Sequence, residues 1–171
     1  MSDIAARVAL GLTRLTEGIS ALLLGAIVVV NVLQVVFRYV LGDPLGWTEE
    51  VMRYAVVWVT FLASVAAVYR GEHMAIEVIG PFLPRPAQRV LYVLVLLCIG
   101  AFCAVLVWQG FPLAWRNAAQ TSPSAEIPMI VPYVSVAVGG LLILVQVACL
   151  LVLTAAGRYA PPSPGGEAPA A

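Results

Sequence analysis

Long uncharged runs alternate with short polar segments four times along this chain. Residues 18–37, 54–69, 90–115 and 127–157 contain no charged side chain. A bilayer core about 30 Å thick takes about 20 apolar helical residues, and a helix satisfies its own backbone there. The second run has only 16 residues, and Val51 and Met52 lengthen it across Arg53, a side chain that can snorkel to the surface. A transmembrane barrel reads as alternating ten-residue segments, whereas these runs are continuous. The pattern predicts an all-α integral membrane protein with four transmembrane helices at about 18–38, 50–70, 89–115 and 131–156, within one membrane domain, 1–159. Residues 160–171 are rich in Pro, Gly and Ala without apolar periodicity and read as a disordered cytoplasmic tail.

Three features refine that plan. The first run is too long for a signal-peptide core of 7 to 15 residues and ends at Arg38 without a small-residue cleavage site, so it is expected to stay as a span. Six arginines (7, 14, 70, 85, 89 and 158) flank one set of ends and three (38, 53 and 116) the other, which predicts N-in/C-in. The segment from Arg70 through His73 to Glu77, after the second span, reads as a short interfacial helix.

Composition narrows the function classes. Of 171 residues, 62% are hydrophobic and 11% charged, and a water-soluble fold of this size cannot hide so much apolar surface. Nine arginines balance nine acidic residues, so no excess charge invites nucleic acid. Cys98, Cys103 and Cys149 lie inside apolar runs without metal-ligand or CxxC spacing and read as small hydrophobes. There is one His, and no triad, HExxH, P-loop or GxGxxG pattern, so neither an enzyme nor a metal or other cofactor is expected.

The informative polar residues crowd around the first hairpin. Asn31, Gln34 and Arg38 stand at i, i+3 and i+7, one helical stripe at membrane depth, and such a stripe faces protein in preference to lipid. After the turn residues Gly42-Asp43-Pro44 come Trp47, Thr48 as the expected N-cap, Glu49 and Glu50 in the first turn, and Arg53. Local pairing of Glu49 and Glu50 with Arg53 gives only about 0.2–0.5 kcal/mol per pair. The competing reading makes Arg38, Glu49, Glu50 and Arg53, with Trp47 and Trp58, a tie between helices or subunits. Adjacent helical carboxylates point about 100° apart, which does not suit two groups flanking one substrate bond. Arg70 and His73 are expected at the inner boundary. Small-xxx-small spacings at Ala21/Gly25, Ala63/Ala67, Gly100/Ala104 and Ser135/Gly139 permit close helix packing.

The stretch from Phe37-Arg38-Tyr39 through Trp47-Thr48-Glu49-Glu50 and Arg53-Tyr54 to Arg70-Gly71-Glu72-His73 resembles the small membrane subunit of tripartite ATP-independent periplasmic (TRAP) transporters, the DctQ-like family. The match is densest over residues 30–80, and the four-span plan and the Ser122-Pro123-Ser124 entry into the last span are similar as well. Family members often carry Pro just before a Gly in the last span, where this chain has Val138-Gly139-Gly140. The resemblance implies a non-catalytic subunit of the bacterial inner membrane. It would scaffold a large multi-span, sodium-coupled subunit in symport of an organic acid delivered by a periplasmic binding protein. Two other classes compete: a membrane anchor of a redox complex, which needs axial ligands, and a small self-assembling exporter, which needs an embedded carboxylate.

Overall fold

A computed structural model describes residues 2–71 and 84–157. The interfacial segment containing His73 and the tail fall outside the described residues. Four helices long and apolar enough to cross a membrane make up the described chain: α1 (Ser2–Val36), α2 (Trp47–Arg70), α3 (Arg85–Arg116) and α4 (Ile130–Ala155). The protein is an all-α membrane protein, as the apolar runs predict.

Helix ends follow from local chemistry. α1 widens into a π-helical turn, Phe37–Leu41, and stops at Gly42, whose φ of 70° suits a residue without Cβ. Gly71 closes α2 in the same way, at φ 68°. Pro132 sits in the first turn of α4, where its missing N–H has no intrahelical partner to lose.

α4 is the central element. It packs against α1, α2 and α3, and 44% of its most apolar stretch is buried, against 6% for α1. Two neighbouring glycines allow this, because adjacent helical residues point about 100° apart and so address different partners. A Cβ built at Gly139 would lie 2.4 Å from Phe61 Cβ on α2, while one at Gly140 would lie 3.4 Å from the Cys103 carbonyl on α3. The Val138-Gly139-Gly140 stretch is thus where α4 meets two helices at once. On α3, Gly110 sits against Ala137, whose Cβ would be 3.1 Å from an added Cβ. Of the spacings noted above, Ser135/Gly139 marks a close contact, whereas Gly25 has nothing within 4 Å of an added Cβ.

The contacts order the helices. α3 and α4 run antiparallel, with Gly110 against Ala137, Gly100 near Val147, and the Arg89 guanidinium donating to the Thr154 carbonyl. α2 and α4 run parallel, with Tyr54 donating to Met129 Sδ and Phe61 against Gly139. Val65, Leu96, Cys103, Ile143, Val147 and Leu150 form the apolar core between them.

α1 begins 16 residues before its uncharged run. Ala9, Thr13, Thr16 and Ser20 recur at spacings of four, three and four and are all buried. Thr13 and Thr16 return their hydroxyl protons to Ala9 and Leu12 carbonyls at 2.9 and 3.0 Å. From α4, Gln146 Nε2 donates to Thr13 Oγ1 at 3.3 Å and to the Ala9 carbonyl at 3.5 Å. This stripe of small side chains, with both threonines bonded back to their own helix, lets the polar start of α1 continue as helix against α4.

Candidate partner interface

Helix α2 carries the cluster singled out in the sequence and sorts it onto different faces. Its first residue is Trp47, and Gly46 stands at the N-cap without a side-chain bond. Thr48 therefore lies inside the helix, a correction to its expected capping role. Its hydroxyl donates to the Leu45 carbonyl at 2.6 Å and the residue is buried, because the Pro44-Leu45-Gly46 turn folds that carbonyl under the helix start.

Glu50 is engaged within the chain. One of its oxygens, Oε2, accepts from Ser122 Oγ at 2.6 Å, the Ala125 N–H at 2.9 Å and the Ser124 N–H at 3.2 Å. The loop between α3 and α4 is shaped for this. Ser122 N–H donates to the Ile127 carbonyl at 2.9 Å, Met129 N–H to the Gln120 carbonyl at 2.8 Å, and Glu126 adopts a φ of 52°. A charged acceptor with three converging donors is a strong local tie. Sequence reasoning noted Ser122 and Ser124 at the entry to the last span but missed their tie, with Ala125, to Glu50, because 72 to 75 residues separate them and two of the three donors are backbone groups. Beside the tie is a hollow of about 320 Å³ lined by Trp47, Val51 and residues 124–127.

Glu49 and Arg53 occupy another face, exposed and about 40° apart at 100° per residue. Gln34 Nε2 donates to Glu49 Oε1 at 3.4 Å, which brings the stripe on α1 to the start of α2. Asn31 and Arg38 are exposed, and the Arg38 guanidinium lies 5.9 Å from the Tyr39 ring centre. Among the described residues, neither Arg38 nor Arg53 is within 4 Å of a carboxylate. Trp58 lies about 16 Å along α2 from Trp47, at 1.5 Å per residue, and is partly buried at mid-helix away from the charged group.

At the opposite end of the same helix pair, Arg70 forms an ion pair with Glu17 of α1. Above it a groove of about 430 Å³ is lined by Glu17, Ser20, Ala63, Ala66, Ala67 and Arg70. Ser20 was not singled out from sequence, although it and Glu17 continue the Asn31, Gln34 and Arg38 stripe toward the N-terminus. His73 falls outside the described residues. No group of three or more His, Cys, Asp or Glu that could hold a metal occurs among the described residues.

Residues 27–157 match the family described as tripartite ATP-independent periplasmic transporters, DctQ component. The chain belongs to the DctQ family. This DctQ protein is 28% identical over 116 residues to the isethionate TRAP transporter permease protein DctMQ of Oleidesulfovibrio alaskensis, covering 63% of this chain and 18% of that protein. It is 29% identical over 100 residues to the C4-dicarboxylate TRAP transporter small permease protein DctQ of Rhodobacter capsulatus, covering 57% of this chain and 44% of that one. With the sialic acid TRAP transporter small permease protein SiaQ of Vibrio cholerae it shares 25% over 107 residues, or 63% of this chain and 62% of the relative. The match thus spans less than two thirds of each of these three proteins. The family segment takes in the polar part of α1 from Asn31 onward, all of α2, and the loop that holds Glu50.

Proposed function

We propose that this chain is the small membrane subunit of a TRAP-type transporter of the bacterial inner membrane, a scaffold without catalysis of its own. It holds a large, multi-span, sodium-coupled subunit that takes up an organic acid, a carboxylate, delivered by a periplasmic binding protein. One observation supports this most: α1 and α2 of a DctQ family member expose Asn31, Arg38, Glu49 and Arg53 on one side of a membrane bundle. Polar groups at that depth seek a protein neighbour. The relative named DctMQ supports a large partner, because this chain matches only 18% of it. Relatives named for isethionate, C4-dicarboxylates and sialic acid support an organic acid as cargo.

In this reading the N- and C-terminal ends face the cytoplasm, and the Trp47 end, with its loop clasped by Glu50, faces the periplasm. Trp47, Glu49, Glu50, Arg53 and Arg38 then surround the place where the large subunit or the binding protein meets this chain, with Asn31, Gln34 and Trp58 below. Arg70 and His73 mark the inner boundary. Uptake of a radiolabelled carboxylate by cells carrying the three components tests the reading. Removing this chain should abolish uptake, and Arg53→Ala should lower both uptake and recovery of the large subunit with the tagged small one. Undiminished uptake without the chain, or transport by this chain alone in proteoliposomes, would overturn it.

A further inference from the structure

The polar residues of α1 continue beyond the outer cluster. Glu17, Ser20, Asn31, Gln34 and Arg38 fall on one register in which steps of three and four alternate from 17 to 38, with Leu24 and Ile27 completing it. α2 carries a second such register, in which Glu49, Arg53, Thr60, Ala63, Ala67 and Arg70 follow one another with Val56 between. A repeat of 3.5 residues keeps side chains along one seam of a helix pair. The two registers meet at both ends, through Gln34 with Glu49 and through Glu17 with Arg70. Both therefore border one seam between antiparallel helices, and that seam is open: Asn31, Arg53, Thr60 and Ala63 are exposed.

Ser20 lies in the floor of this seam, its hydroxyl oxygen already closed off inside the chain. Thr13, Thr16, Thr60 and Ser64 on the same two helices each return their hydroxyl to a carbonyl one turn back. Ser20 is 8% exposed and lines the groove beside Ala63 and Ala67, yet its hydroxyl has no hydrogen-bond partner among the described residues. The floor of small side chains lets another backbone come close.

Building on the transporter-subunit reading above, we infer that the α1–α2 seam, from Arg38 and Arg53 down to the groove at Ser20, Ala63 and Ala67, seats one transmembrane helix of the large subunit. The seam follows the 24 residues of α2, about 36 Å at 1.5 Å per residue, which is the length of a spanning helix and too long for a loop. The docking helix presents a small residue over Ala63 and Ala67 and an acidic or polar group near Arg53. A large subunit fits this better than a second copy of the chain, because a copy would set Arg38 and Arg53, with the single Glu49 beside them, against an edge of the same net positive charge. Glu50, Trp47 and Trp58 lie off this seam, on the side of α2 turned to α4 and its loop. The outer cluster thus divides into a docking half and a self-bracing half.

Photo-crosslinking in the full complex tests the seam. p-Benzoylphenylalanine is placed at Ala63 or Ala67, and at Ala104 on α3, which lines a shallow hollow with Val105, Trp108 and Gln109 on another face. Cross-links to the large subunit from positions 63 and 67 and not from 104 are expected. In parallel, Ala63→Leu should cut recovery of the large subunit about tenfold, while Ala104→Leu leaves it unchanged. Helix content and elution volume of the Ala63→Leu chain should match the parent, since Ala63 is exposed. Cross-links from 104 alone, adducts only to a second copy, or no protein adduct from 63 and 67 while the complex co-purifies, would overturn the seam and leave the transporter-subunit reading standing. If the unmodified chain brings down no large subunit, that underlying reading fails, and the seam fails with it.

Discussion

Gly139 and Phe61 meet where α4 crosses α2, so closely that a Cβ on the glycine would stand 2.4 Å from Phe61 Cβ. No rotamer of Phe61 relieves that contact, because its own Cβ is the obstacle. Gly139→Ala should therefore destabilise the bundle by about 1–3 kcal/mol, the range for overpacking a filled core. Phe61→Ala, which keeps its Cβ, should not rescue it. Gly140→Ala, with its nearest contacts at 3.4 Å, should change stability much less. Thermal melting of the full chain in detergent, followed by tryptophan fluorescence, checks all three, and equal losses at 139 and 140 would contradict the account.

The Glu50 clasp makes a different kind of prediction. Glu50→Ala leaves the Ser122 hydroxyl and the Ser124 and Ala125 amides without their shared acceptor. Amide exchange in residues 121–127 should accelerate, while Glu49→Ala, which gives up a 3.4 Å bond from Gln34, leaves that loop protected. Hydrogen exchange with mass spectrometry reads both. Unchanged protection in the Glu50 variant would mean that the loop holds its own shape.

Gln146 is buried in α4 with its amide nitrogen bonded to α1 and its carbonyl oxygen unpaired among the described residues. Gln146→Leu removes an unsatisfied acceptor together with two long donor contacts. Interhelical hydrogen bonds in membranes average about 0.6 kcal/mol, so the change should stay within about 1 kcal/mol of the parent. Gln146→Ala adds a cavity and should cost about 2 kcal/mol or more. Unfolding in mixed detergent separates the two, and a large loss in the Leu variant would show that the polar link positions α1.

Glu17 and Arg70 form their ion pair with side chains 35% and 48% exposed. At that exposure a pair contributes up to about 1 kcal/mol. Single replacement by Ala should therefore shift the melting temperature by only a few degrees, and exchange of the two residues, Glu17→Arg with Arg70→Glu, should recover most of it. Additive losses without recovery would place the role of these residues outside the pair.

Much of this protein was written in one dimension. Four apolar runs longer than most soluble helices determine four spans, because bilayer thickness and backbone hydrogen bonding leave no other solution. The turn at Gly42-Asp43-Pro44 and the stop at Gly71 are equally local, set by φ and by the missing proline donor. The 3.5-residue register of Asn31, Gln34 and Arg38 is also visible in sequence. Its extension to Ser20 and Glu17 is present there too, but the intervening Leu24 and Ile27 conceal it. Only the tertiary structure decides which polar groups are spent inside the chain. Glu50 and Glu49 are adjacent and chemically alike, yet the α3–α4 loop closes on one and leaves the other at the seam, because its donors come mostly from backbone that carries no signature in residue type. The central place of α4 is decided in the same way: a Gly-Gly pair reads as a weak point in a helix until two other helices are seen to need its two faces.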